Sequence, residues 1–182
     1  MIDPITELPR NIALYGYKGT GKTTLAGAFC FYNKLWKQLS FAGPLKEMVR
    51  SFLLSSGLSE MEAGLYINEG KDTVIPQLGV SVRELLSRLT GFYNWTTALE
   101  NKITTLNGNF KNVIIDDLRL PEEYDMLREH DFFLVRMYRP EIGLDIYDDF
   151  EGKLDDREFD LTFDFSDMKT WEFMELMRGV MS

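Results

Sequence analysis

The chain contains 182 residues, of which 45% are hydrophobic and 27% are charged, a composition typical of a single globular domain of ordinary size. Its one cysteine, Cys30, excludes an internal disulfide bond, and its first residues lack the basic, apolar and small-residue order of a signal peptide. No apolar run approaches the roughly 18 residues that a transmembrane helix needs. We therefore expect one cytoplasmic domain, residues 1–182, without a membrane partner.

The formal net charge of −9 argues against binding to DNA or RNA polymers, because such binding depends on clustered lysines and arginines that neutralise phosphates. The acidity is uneven. Residues 141–164 carry most of the local excess, whereas the first 50 residues are slightly basic. A small anionic ligand can therefore still find a positive pocket.

The first predicted elements alternate between strand and helix. Asn11–Tyr15 is a short apolar run that predicts a buried parallel strand, and Lys22–Tyr32 predicts a helix. Gln38–Ala42 predicts a second strand, closed by Gly43-Pro44. Apolar residues at helical spacing then predict a helix with one apolar face, formed by Leu45, Met48, Val49, Phe52 and Leu53.

Two capping boxes mark helix starts in the middle of the chain. Ser59–Glu62 predicts a short helix, and Ser81–Glu84 opens a helix whose apolar face contains Val82, Leu85, Leu86 and Leu89. A further helix is predicted over Trp95–Leu106, followed by a turn at Asn107–Asn109. The apolar face of that helix is a candidate homodimer contact, and its periodicity fits core packing equally well.

The last third continues the alternation. Val113–Ile115 predicts a buried strand, and Pro121–Glu123 has the proline and acids of a helix's first turn. Strands are predicted at Phe132–Met137 and Leu161–Phe165, with a final helix at Met168–Val180. This order predicts an α/β fold of three layers, a roughly five-stranded parallel sheet between helices, with ligands outside the carboxyl ends of the strands.

One motif carries specific chemistry. The segment Gly16-Tyr-Lys-Gly-Thr-Gly-Lys22-Thr23 fits the P-loop pattern G-x-x-x-x-G-K-[ST] and lies between a predicted strand and a predicted helix. The glycines let backbone N–H groups point at phosphate oxygens, Lys22 reaches the β- and γ-phosphates, and the Thr23 hydroxyl is placed to bind Mg²⁺. The alternative is a ligand-free glycine-rich turn, which gives Lys22 and Thr23 no role. The predicted ATP-binding residues are Gly16, Lys18, Gly19, Thr20, Gly21, Lys22, Thr23, Thr24 and Arg139.

Two acids, Asp116 and Asp117, end the strand at Val113–Ile115. P-loop proteins place the acid that holds Mg²⁺ at such a position, directly or through water. The alternative is an acid in an ordinary turn after a strand. With the P-loop present we favour Mg²⁺ binding by one of these two acids, together with the Thr23 hydroxyl.

Phosphoryl transfer also needs cations around the moving group and its acceptor. Arg119 lies two residues past the strand-end acids and is the favoured catalytic candidate. Arg88 has an alternative role in a surface pair with Glu84, four residues earlier on the same helix. Arg139, just beyond its strand, is favoured over Arg136 within it, and a solvated surface position is its alternative. The cations considered are Lys46, Arg83, Arg88, Arg119, Arg136 and Arg139.

A family resemblance depends on several segments in a fixed order. They are Gly16 to Thr24, Ser40-Phe-Ala-Gly-Pro-Leu-Lys46, Ile75-Pro76 with Val82-Arg83-Glu84-Leu85-Leu86, Asp117-Leu-Arg-Leu-Pro-Glu-Glu123, Arg139-Pro140 and Phe159-Asp-Leu-Thr-Phe163. Together they resemble the phage-type deoxynucleoside monophosphate kinases. The segment at Asp117 is similar to that family's Asp-x-Arg-Phe-Pro-x-Glu element.

The resemblance implies an ATP- and Mg²⁺-dependent kinase that acts on a deoxynucleoside monophosphate, and it implies phage origin. It places Lys46, Arg83 and Arg119 around the acceptor phosphate or the transferred phosphoryl group, Asp117 near Mg²⁺, and a lid over residues 141–160. Arg83 and Arg119, with Lys22 and Asp117, are then the catalytic candidates, and Arg88 joins the substrate-binding ones.

The sequence departs from the family pattern in three places. Gly43 stands where the family has an aspartate, and Ser87-Arg-Leu-Thr-Gly91 replaces the usual Gln-x-Leu-Gly-Thr. The lid segment is acidic, with Lys153 and Arg157 as its cations. Two other interpretations stay open: a P-loop kinase for another small acceptor, and a nucleotide-binding interaction module without turnover.

Overall fold

The structure, a computed structural model, describes residues 11–32, 34–90, 95–106, 112–143 and 151–164. These residues form two compact units, one made of Phe41–Asn101 and the other of the described residues up to Ser40 and from Lys102 onward. The elements in chain order are β1 (Asn11–Tyr15), α1 (Lys22–Tyr32), β2 (Trp36–Leu39), α2 (Ala42–Ser55), α3 (Glu60–Asn68), β3 (Val74–Ile75), β4 (Val80–Ser81), α4 (Val82–Thr90), α5 (Trp95–Leu106), β5 (Asn112–Ile115), α6 (Pro121–Glu129), β6 (Phe133–Tyr138) and β7 (Leu161–Asp164).

The sheet of the first unit has five strands in the order β2-β5-β1-β6-β7, and every pairing is parallel. Its register pairs Ile12 with Ile114 on one side and with Phe133 on the other. The predicted five-stranded parallel sheet is confirmed. With its helices, the sheet is compatible with a three-layer α/β/α fold.

The strand order has a reversal between β1 and β5. The connection that leaves β1 leads to β2, at one edge of the sheet, whereas the connection that leaves β5 leads to β6, on the far side of β1. In open parallel sheets such a switch point leaves a crevice at the carboxyl ends of the two strands, and ligands bind there. The loops that follow Tyr15 and Ile115 lie at this switch point.

The two faces of the sheet pack against different groups. Ile12 and Leu14 join a buried cluster that includes Leu25, Ala26 and Phe29 of α1. Tyr15 stacks on Phe159 at 5.2 Å between ring centroids, and Phe159 also meets the edge of Tyr124 of α6 at 5.8 Å. Because successive strand side chains point to opposite faces, the sheet is covered on both sides.

The unit Phe41–Asn101 has a separate core. Its buried residues come from α2, α3, β3, α4 and the segment before α3, and they are Val49, Leu53, Leu58, Ala63, Ile67, Ile75 and Val82. Ser59 caps α3 as predicted, since its Oγ accepts from the Glu62 N–H at 3.3 Å and its own N–H donates to the Glu62 carboxylate at 2.8 Å. The short antiparallel pair of β3 and β4 was not predicted.

The structure corrects three predictions from the sequence. The second strand is Trp36–Leu39 rather than Gln38–Ala42, and Gly43-Pro44 lies in the first turn of α2 instead of closing the strand. Met48 and Phe52 are exposed at 39% and 49%, so they do not belong to the buried face of α2. In α5, Leu99 and Ile103 are buried, and a homodimer contact on this helix stays a prediction.

Several predicted features fall outside the described residues: the turn at Asn107–Asn109, the end of the last strand at Phe165, and the helix at Met168–Val180. Within the part of the chain that the structure describes, no helix has both the length and the apolar character needed to cross a membrane.

Candidate functional site

The loop from Gly16 to Thr23 connects β1 to α1 at the switch point of the sheet. Gly16 has φ +148°, and a Cβ built there would lie 2.3 Å from the carbonyl oxygen of Met137. Gly19 and Gly21 also have positive φ, at +90° and +97°. A side chain at position 16 would collide with rigid backbone, so the glycine spacing of the motif is a steric requirement of this loop.

Lys22 is held inside the loop, with 8% of its surface exposed. Its Nζ donates a hydrogen bond of 2.9 Å to the carbonyl oxygen of Tyr17 and a second one to the carbonyl oxygen of Gly16. The Thr20 hydroxyl donates to the same Tyr17 oxygen at 2.8 Å. Burial, and after it the positive charge of Arg119, lowers the pKa of Lys22 to about 8. The ammonium is therefore poorly compensated and suited to an anion.

The loop after β5 brings acids and a cation to the same place. Asp116, 8% exposed, accepts a hydrogen bond of 2.8 Å from the side-chain amide of Gln38, and Asp117 is half-buried. The charges of Asp116 and Asp117 both raise the pKa of Lys22, against the larger effects of burial and Arg119. The structure thus places Lys22, Arg119 and both acids close enough to interact electrostatically, and their roles in binding and catalysis stay predictions.

Glu123 fixes the backbone of the Arg119 loop. One oxygen of its carboxylate accepts the N–H of Arg119 at 2.8 Å and the N–H of Leu120 at 2.9 Å. The pKa of Glu123 is raised to about 8, because burial, helped by the charge of Asp117, raises it by more than those two hydrogen bonds lower it. The sequence predicted only a first-turn acid here, because nothing local shows that the side chain is buried.

An acidic segment, residues 151–160, lies against the loop, and the sequence did not predict this contact. The Glu151 carboxylate accepts the N–H of Lys18 at 2.6 Å. Asp155 accepts hydrogen bonds from the Tyr15 hydroxyl at 2.7 Å, the Tyr17 hydroxyl at 2.5 Å and the Arg136 guanidinium at 2.9 Å. Apart from Arg136, each partner lies more than 130 residues away in the sequence from the acid that it contacts. No local sequence signal therefore reveals these contacts.

The remaining predicted cations have other partners. Arg88 pairs with Glu84 at 2.5 Å in the predicted surface pair, and Arg83 forms an ion pair with Asp72, all of them exposed. Arg139 follows β6 and lies 3.8 Å from Glu141. Lys46 lies in α2. Lys46, Arg83 and Arg88 belong to the unit Phe41–Asn101, and their contacts with substrate stay predictions.

The binding of Mg²⁺ by Thr23 and Asp117 stays a prediction. Among the residues with described positions, no group of three or more His, Cys, Asp or Glu side chains could hold a metal ion. Mg²⁺ in nucleotide sites needs fewer protein ligands, since phosphates and water complete its shell. Thr23, exposed in the first turn of α1, and Asp117 supply a hydroxyl and a carboxylate of the required kinds.

The chain was compared with protein-family models and with curated proteins. A scan against protein-family models gives no match, and a search of curated proteins finds none of significant similarity.

Proposed function

We propose that the protein transfers the γ-phosphoryl group of ATP, bound with Mg²⁺, to the 5′-phosphate of a deoxynucleoside monophosphate and so forms the diphosphate. The observation that carries this proposal is the loop Gly16–Thr23, which presents a buried lysine at the switch point of a parallel sheet, beside Asp117 and Arg119. A buried ammonium without a carboxylate bonded to it favours a multiply charged anion.

The residues of the loop have distinct roles in this proposal. Backbone N–H groups and Lys22 hold the β- and γ-phosphates, while Thr23 and Asp117 hold Mg²⁺, which offsets phosphate charge when bound. Arg119 offsets the negative charge of the phosphoryl group during its transfer, and Glu123 keeps the Arg119 backbone in place. Bringing two anions together in line is the main task, so positive charge and positioning supply most of the rate.

The acceptor is the part of the proposal that rests on the family resemblance. That resemblance assigns Lys46, Arg83 and Arg119 to the acceptor phosphate or the transferred phosphoryl group. Arg88, a candidate from the sequence alone, is a further substrate contact in the proposal. Arg83 is 69% exposed in its side chain and pairs with Asp72, so the pair is weak and a phosphate can replace the aspartate at little cost.

The test is product formation with a panel of acceptors. Purified protein is incubated with ATP, Mg²⁺ and each of dTMP, dGMP, dCMP and dAMP, and nucleoside diphosphates are separated by chromatography. We expect diphosphate from one or more acceptors, and a loss of about 10²-fold or more in Arg119→Ala. Diphosphate from none of them would contradict the proposal, and product from a different small acceptor would identify another kinase.

Two departures from the family pattern favour a second candidate, a nucleotide-binding module without turnover. They are Gly43, where the family has an aspartate, and the acidic lid segment. A module of this kind would bind ATP and form no product, and Lys22→Ala would change its binding to a partner rather than catalysis. A hydrolase without an acceptor would instead release phosphate at a rate indifferent to dNMPs.

A further inference from the structure

The acidic segment is fixed firmly to the first unit. Leu154 is fully buried, and Asp160 accepts the N–H of Leu134 at 2.7 Å and pairs with Arg128 at the same distance. Asp155 ties the segment to Tyr15, Tyr17 and Arg136. These contacts join the segment to the sheet and to the P-loop itself, because Tyr17 is a loop residue.

Glu151 begins this segment and points its carboxylate at the loop. Its oxygen lies 2.6 Å from the backbone nitrogen of Lys18, and its charge raises the pKa of Lys22 against the larger effect of burial. A carboxylate oxygen and a phosphate oxygen are the same kind of acceptor for a backbone N–H group. The N–H of Lys18 can donate strongly to only one of them.

We propose that Glu151 is an internal competitor of the nucleotide phosphates: it occupies the Lys18 N–H in the free protein and must leave when a triphosphate binds. This inference rests on the proposed function. Breaking the Glu151 contact costs free energy, and this cost offsets part of the favourable free energy of nucleotide binding. The acidic segment therefore weakens the affinity of the loop for ATP. Repulsion between the Glu151 carboxylate and the phosphates acts in the same direction.

The test compares dissociation constants for ATP with Mg²⁺, measured by calorimetry. The variants are Glu151→Gln, which keeps the side-chain shape and removes the charge, and Glu151→Ala, which removes the contact. Glu158→Gln is the matched control, because it makes the same charge change in the same segment, where Glu158 contributes its backbone carbonyl to Tyr124 and Arg128. Thermal unfolding checks that each variant is folded.

We expect both Glu151 variants to bind ATP about 5- to 10-fold more tightly than the wild type, and Glu158→Gln to stay within about twofold. Equal or weaker binding in the Glu151 variants, with a wild type that binds ATP, would overturn the competition and leave the proposed function standing. The same gain in Glu158→Gln would also overturn it, because net charge would then be the cause. Absence of binding in all four proteins would overturn both proposals.

Discussion

The Nζ atom of Lys22 lies 2.9 Å from the carbonyl oxygen of Tyr17, within its own loop. The ammonium therefore donates to backbone carbonyls of the loop, and its pKa is lowered by burial. A phosphate offers the same ammonium a full negative charge. We expect the ammonium to exchange carbonyl partners for phosphate oxygens on binding, which makes its protonation state decisive.

The first prediction concerns the pH dependence of ATP binding. Only the protonated form of Lys22 attracts phosphate, and its pKa in the free protein is about 8 instead of 10.5. As pH rises through 8 the charged fraction falls, so affinity should drop about tenfold between roughly pH 7 and pH 9. Calorimetric titrations across this range measure the drop.

Two variants give the control for that profile. Lys22→Arg keeps its charge throughout, so its affinity should not change over the same range. Arg119→Ala removes a positive charge that lowers the pKa of Lys22, so the fall should move to higher pH. A wild-type profile without a fall near pH 8 would show that the charge of Lys22 does not govern binding.

The second prediction concerns the steric need for glycine at position 16. In Gly16→Ala the new Cβ would lie 2.3 Å from the Met137 carbonyl oxygen at φ +148°, so the loop or β6 must shift. We expect a loss of about 1–3 kcal/mol in the free energy of unfolding and weaker ATP binding.

Gly27→Ala is the matched control for this change. Position 27 lies in α1, and a Cβ there meets nothing within 4 Å. Replacement of a helical glycine by alanine should stabilise the chain by about 0.5–1 kcal/mol. Urea unfolding measures whether each variant is less or more stable than the wild type. Equal stability of the two variants would contradict the geometry of the loop.

The third prediction concerns Glu123 and the pH dependence of stability. Its pKa is about 8 in the folded chain against 4.5 in the unfolded one. The stability that the protonated side chain contributes is complete below pH 4.5 and is lost as pH rises through 8. Ionisation of Glu123 should lower the free energy of unfolding by about 2–4 kcal/mol over this pH range.

Glu123→Gln isolates that contribution. The amide keeps a carbonyl oxygen for the N–H groups of Arg119 and Leu120 and carries no charge. The stability of the variant relative to the wild type should rise with pH between 4.5 and 8, as measured by urea unfolding at pH 5 and at about pH 8.5. If the difference in stability between the variant and the wild type does not grow with pH, the ionised carboxylate of Glu123 does not destabilise the fold.

Local constraints explain what the sequence predicted well. The loop from Gly16 to Thr23 is recognisable because its glycines need positive φ and its lysine must follow at a fixed spacing. The start of α3 is recognisable because Ser59 and Glu62 bond to each other three residues apart. The parallel sheet follows from the alternation of short apolar runs with helical segments.

Longer-range contacts explain what was missed. The boundary between β2 and α2 was misplaced because Phe41, which precedes the helix, makes no side-chain capping bond, and because it is buried like a strand residue. The contacts of Glu151 and Asp155 with the loop join residues 133 to 140 positions apart, and only the folded chain brings them together.

The most direct test of the central claim is transfer of label from γ-labelled ATP to a deoxynucleoside monophosphate by the wild type and Lys22→Ala, with Lys34→Ala as control. Lys34 is exposed and contacts the ring of Phe31, so its loss should leave transfer unchanged. We predict labelled diphosphate with the wild type and Lys34→Ala, and a loss of about 10²-fold or more with Lys22→Ala. Label that stays in ATP, or that appears only as free phosphate, would contradict the account.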